Sequence, residues 1–132
     1  MADTPLPTSG FKADAGKPRF DLLPPMPLIE LASLFTMGAT KYSARNWERG
    51  MRFGRVFAAR MRHSWKWWMG EDHDETDGQH HLISVAWCAL TLRELTLKHP
   101  ECDDRPQATP PNQAVMAEIA AELEKNPLNA KK

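Results

Sequence analysis

The sequence predicts an all-α fold, a helical bundle with an extended N-terminal arm and a Pro-rich C-terminal linker followed by a short helix. Three observations carry this. Apolar residues recur at three- and four-residue steps in three segments, the spacing of a helix face. Runs alternating with period two are few and short. Gly, Pro and His punctuate the segment ends.

Residues 1–15 are rich in Pro, Gly and small polar types and read as a flexible arm. The main domain is expected over 16–99. Its opening, "GKPRFDLLPP", sets Lys17, Arg19 and Asp21 ahead of Leu22 and Leu23, an ordering that suggests docking on the body. The first helix is expected to open at Pro27, since proline is tolerated in a first turn, with Leu28, Leu31, Ala32, Leu34 and Phe35 on its apolar face. Gly38 is its expected stop. A loop or short irregular helix, "KYSARNWERG", leads to a second helix from about Arg55 to Met69, ended by Gly70. A third is expected from about Gln79 to Leu97, with Leu82, Val85, Ala86, Ala89, Leu92 and Leu95 inward, closed by His99 and Pro100. Residues 100–132 comprise the linker and the Ala- and Glu-rich helix "AVMAEIAAELEKN".

Composition narrows the function. The chain has 132 residues, suited to one modest domain. Lys plus Arg equals Asp plus Glu at 17 each, so no bulk attraction to nucleic acid is expected. No apolar run reaches the roughly 18 residues that span a bilayer, so no membrane partner is expected. The N-terminus lacks the basic and apolar regions of a signal peptide, and cytoplasm is the expected compartment. The two cysteines, Cys88 and Cys102, form neither a disulfide framework nor a CxxC pair. Cys88 reads as a buried small hydrophobe.

The chemistry concentrates in "MGEDHDETDGQHHL". Glu71, Asp72, Asp74, Glu75 and Asp77 crowd five carboxylates into seven residues. Such groups repel one another unless solvated or compensated by a cation. Hard divalent ions such as Mg²⁺ or Mn²⁺ favour this oxygen-rich setting. Asp77 alone is better read as an ordinary helix cap. An EF-hand is rejected, because Gly78 falls one place late and Ile83 occupies the position of the bidentate Glu. His63, Trp67 and Glu71 share a face of the second helix. If the second and third helices are antiparallel, His81 faces Glu71.

Four blocks in order, "GKPRFDLLPP", "MGATKYSARNW", "RHSWKWWMGEDHD" and "GQHHLISVAW", are similar to the small bacteriophage dATP/dGTP diphosphohydrolases, grouped with MazG-like nucleotide pyrophosphohydrolases. The resemblance covers about Gly16 to Leu97. It implies a MazG-like fold, usually oligomeric as a dimer or tetramer. It also implies Mg²⁺- or Mn²⁺-dependent cleavage of a purine deoxynucleoside triphosphate to monophosphate and pyrophosphate, in the host cytoplasm if phage-encoded. The chain departs from the pattern. Its second helix has no ExxE, Glu71 and Asp74 form an ExxD in the loop, Thr76 replaces an acid, and Ser84 stands where a second histidine is usual.

A metal set of Glu71, Asp74 and Asp77, with Glu30 as the best carboxylate outside the loop, would neutralise a triphosphate and its leaving pyrophosphate. Glu71 and His81 are the candidates for orienting or deprotonating the water. Lys17, Arg19, Lys41 and Arg62 are candidate phosphate cations, with His63 beside Arg62. Asn46 and Trp47 offer an amide for base edges and a ring for stacking. A core tryptophan with a turn-forming Asn fits those two residues as well. Asp21 could accept from the N1–H and N2–H₂ of guanine, which favours dGTP, or could pair with Arg19. Trp65, Trp67 and Trp68 cannot all face one side of a helix, which supports a homo-oligomer. Two other functions fit the same sequence. One is a phosphohydrolase with different products; the other is a non-catalytic helical interaction module.

Overall fold

The computed structural model describes residues 3, 10–106 and 110–126; most of the arm expected over 1–15 lies outside them. Four helices follow one another: α1 (Pro25–Lys41), α2 (Phe53–Trp68), α3 (His81–Lys98) and α4 (Pro110–Glu124). Single 3-10 turns lie at Phe20–Leu22, Asn46–Arg49 and Pro100–Cys102. No strand occurs among the described residues, so the expected all-α class is observed.

α2 and α3 form an antiparallel pair, and α1 packs on α3. The pairing is pinned at both ends. At one end the loop joins the helices. At the other, the Gly54 amide, one of the unsatisfied N–H groups of the first turn of α2, donates to Asp104 Oδ1 at 2.8 Å. The Arg105 guanidinium lies 5.9 Å from the Phe53 ring centroid.

Boundaries shift where local chemistry overrides the expected stops. α1 begins two residues before Pro27, at Pro25, because missing proline N–H groups cost nothing in a first turn. It also runs through Gly38 to Lys41. Glycine ends a helix by turning left-handed, and Gly38 does not. α3 starts at His81 rather than Gln79, capped by His80, whose Nδ1 accepts from the Leu82 amide at 3.1 Å.

The buried stripe of α3 also differs from expectation. It runs His81, Ser84, Cys88, Thr91 and Leu95 at three- and four-residue steps, with Ile83 buried beside it; Leu95 is inward as expected, and the rest of the stripe is small or polar. Leu82 and Ala89, expected inward, are exposed. The short side chains on the inner stripe suit close approach of α2, whose Phe53 and Val56 are buried. Cys88 is buried, as its apolar context suggests.

Candidate active site

Gly70 ends α2 at φ 103°, a left-handed conformation that favours glycine. The acidic segment then folds back as a small hairpin. The His81 amide donates to the Asp72 carbonyl at 2.9 Å, and Asp74 N–H to the Gln79 carbonyl at 2.8 Å. Two carboxylates brace the turn: Asp74 Oδ1 accepts from Thr76 N–H at 2.7 Å and Asp77 Oδ1 from Gln79 N–H at 2.9 Å. Asp77 thus caps the hairpin turn and not α3.

The hairpin lays Asp74 against two histidines. His63 Nδ1 on α2 is 2.8 Å from His81 Nδ1 on α3, and 3.9 Å from Asp74 Oδ2. His81 is fully buried. Its Nε2 lies 3.3 Å from Glu71 Oε2, but the alignment does not make a hydrogen bond, so this buried nitrogen has no direct partner. Burial and the neighbouring His81 hold the His63 pKa below the usual histidine range. The backbone N–H of Thr76 holds the Asp74 carboxyl below the usual carboxylate range. One carboxylate and the facing rings of His63 and His81 therefore converge.

Donor atoms from His63, Asp74 and His81 lie within 4.8 Å of one another and could hold a metal ion. Two nitrogens and one oxygen suit Mn²⁺ or a similar transition metal better than Mg²⁺. The convergence of these three donors fits such an ion.

Beside this cluster lies a cleft of about 1030 Å³ between the C-terminal half of α1, the Asn46–Arg49 turn and α2–α3. That is at the upper end of small-molecule sites. Its wall is aromatic. The Phe35 ring centroid lies 6.1 Å from Trp47 and 5.8 Å from Trp87. Lys41, Arg45 and Arg55 bring positive charge to it, and His63 and Asp77 line it toward the cluster. Arg45 adopts a left-handed φ of 58° and pairs with Glu48 at 2.6 Å.

Of the residues singled out from sequence, Lys41, Asn46, Trp47, His63 and Asp77 line the cleft. Asp74 and His81 join His63 in the cluster, and Glu71 stands against His81. The rest lie elsewhere. Arg19 and Asp21 pair with each other in the exposed N-terminal segment, with a shortest contact of 2.6 Å. Lys17 is exposed in the same segment, Glu30 is exposed on α1 and Arg62 is exposed on α2; none lines the cleft. Sequence reasoning missed Phe35, Arg45, Arg55, Ser84 and Trp87 as cleft residues. Arg55 had a legible signal, since Arg55, Ala59 and His63 follow at four-residue steps and all three line the cleft. Ser84 lines it where the resemblance leads to a second histidine, and His63 supplies the second imidazole from α2.

The fold and site define a helical protein with a His–Asp–His cluster at the edge of an aromatic, basic cleft. Comparison with protein families matches residues 7–105 to the family described as "dATP/dGTP diphosphohydrolase, N-terminal", and the chain belongs to it. It is 32% identical over 97 residues to a dATP/dGTP diphosphohydrolase of Salmonella phage PMBT28, an alignment covering 74% of this chain and 33% of that protein. The chain thus spans about a third of that relative's length. No solved structure matches it.

Proposed function

We propose that this chain hydrolyses purine deoxynucleoside triphosphates, dGTP and dATP, at the α–β anhydride, releasing the monophosphate and pyrophosphate. One observation carries the reading: His63 belongs both to the donor cluster and to the cleft wall, so a cation held there would meet the phosphates of a nucleotide in the cleft. The family supplies the substrate class.

His63, Asp74 and His81 would hold Mn²⁺ or Mg²⁺, which when bound neutralises phosphate oxygens as a Lewis acid. The chain's own groups do the rest. Trp47 and Trp87, bridged by Phe35, offer a stacking surface for the base. Lys41 and Arg55 draw the phosphates in, and Arg45 adds charge on release from Glu48. Glu71 faces His81 Nε2 and orients the ring through it, in the way carboxylates commonly position metal-binding histidines. Asp77 holds the hairpin turn with Oδ1, leaving Oδ2 to orient a water and take its proton. The water oxygen bonds to the α-phosphorus, the bond to the bridging oxygen breaks, and pyrophosphate leaves.

The exposed Trp65, Trp68, Met69 and Leu82 favour a homo-oligomer, a dimer or tetramer, that covers this apolar surface. The catalytic reading is tested by incubating the protein with each deoxynucleoside triphosphate and separating the products. Monophosphate and pyrophosphate in equal amounts, from the purine substrates, are expected. Inorganic phosphate or triphosphate as the product would replace this reaction with another.

A further inference from the structure

The turn after α3, His99-Pro100-Glu101-Cys102, gathers an imidazole, a carboxylate and a thiol in four residues. It lies at the far end of α3 from the acidic loop, about 27 Å along the helix at ~1.5 Å per residue. Donor atoms of His99, Glu101 and Cys102 lie within 4.8 Å of one another. His99 Nδ1 is 2.6 Å from Glu101 Oε1, while His99 Nε2 lies 2.6 Å from the Glu48 backbone carbonyl oxygen. A carbonyl and a carboxylate both only accept, so in the ion-free pair both ring nitrogens donate, and Nδ1 becomes a ligand by giving up its hydrogen. A backbone carbonyl holding one ring nitrogen is how metal-binding histidines are commonly oriented.

Gly50 packs against the same two side chains. A Cβ there would come within 3.1 Å of Cys102 Sγ and 3.4 Å of His99 Nδ1, and its φ of +104° disfavours a side chain in any case.

We propose that His99, Glu101 and Cys102 form a second cation site, selective for a borderline-soft divalent ion of the Zn²⁺ class, with water in the remaining position. Thiolate, imidazole and carboxylate are all zinc ligands, at about 2.0–2.3 Å. The ion enters between Nδ1 and Glu101, whose exposed side chain gives way; the His99 Nδ1 hydrogen and the Cys102 thiol proton both pass to solvent, so the ring binds neutral and Cys102 as thiolate. His99, through its hydrogen bond to the Glu48 carbonyl, links this site to the Asn46–Arg49 turn, which carries Trp47 of the cleft wall. The site is independent of the proposed catalytic reading.

Cobalt titration of the full chain tests it, because only a cysteine ligand gives a thiolate-to-cobalt charge-transfer band in the near ultraviolet. The His63–Asp74–His81 cluster holds no cysteine and is silent. The expected result is a saturable band that Zn²⁺ competes away. It should be lost in Cys102→Ser and kept in Cys88→Ser and His63→Ala. Affinity should fall at least about tenfold in Glu101→Gln, the exposed position that decides the matter if Cys102→Ser does not fold. Absence of the band at millimolar cobalt, its persistence in folded Cys102→Ser, or unchanged affinity in Glu101→Gln would overturn the proposal.

Discussion

His63 shows how much of a site depends on one contact between elements. Its four-residue steps to Trp67 and Glu71 suggested a shared face with Glu71, and the sequence placed it with the substrate. In the fold its Nδ1 meets His81 instead, because the hairpin returns Asp74 onto α2. Asp74 and His81 were legible, since both lie in or beside the acidic segment. The second imidazole was not, because nothing local to residue 63 reports the path of residues 71–80. Asp74→Asn tests the assignment at this scale. The amide oxygen can still accept from Thr76 N–H, so the loop should hold while the charge is lost. Turnover is expected to fall by at least about 100-fold with unchanged circular dichroism; a fall under threefold in the folded variant would remove Asp74 from the cation set. Trp47→Leu should act differently. Losing a stacking face worth roughly 1–3 kcal/mol should raise KM about tenfold or more and leave kcat close to wild type. A change confined to kcat would place Trp47 outside base binding.

At the scale of elements, three helices were readable from apolar spacing, and their ends only to within a few residues. The end of α1 was misplaced because glycine stops a helix by its backbone conformation, which composition does not reveal. The inner stripe of α3 was misread for a different reason. Apolar identity marks a face that must leave water, but α3 buries His81, Ser84, Cys88 and Thr91 alongside Ile83 and Leu95 and leaves Leu82, Leu90 and Leu97 exposed. Gly70 is where element geometry can be tested. A Cβ at Gly70 meets open space, so Gly70→Ala acts through the backbone at φ +103° alone. It should cost about 1–2 kcal/mol and lower Tm by roughly 3–8 °C. An unchanged Tm would mean the loop relaxes freely and does not set the position of Asp74.

For the whole molecule, the all-α class and the balanced charge were fully legible, whereas the cleft was not. Its wall joins α1, the Asn46–Arg49 turn, α2 and α3, and depends on packing that no single segment encodes. Among the described residues no helix is long and apolar enough to cross a membrane. The proposed homo-oligomer would cover the exposed Trp65, Trp67 and Trp68. Light scattering should show at least a dimer at micromolar concentration, and Trp68→Glu should shift it toward monomer. A wild-type monomer under those conditions would remove the oligomer.

The central claim is that a cation on His63, Asp74 and His81 supports cleavage of a nucleotide in the adjoining cleft. Manganese dependence of product formation from dGTP and dATP, measured in wild type and His63→Ala, tests it most directly. Equal monophosphate and pyrophosphate should appear with metal and vanish in excess chelator, and the manganese needed for half-maximal rate should rise at least about tenfold in the variant. Full turnover in chelator, or an unchanged manganese requirement in folded His63→Ala, would contradict it.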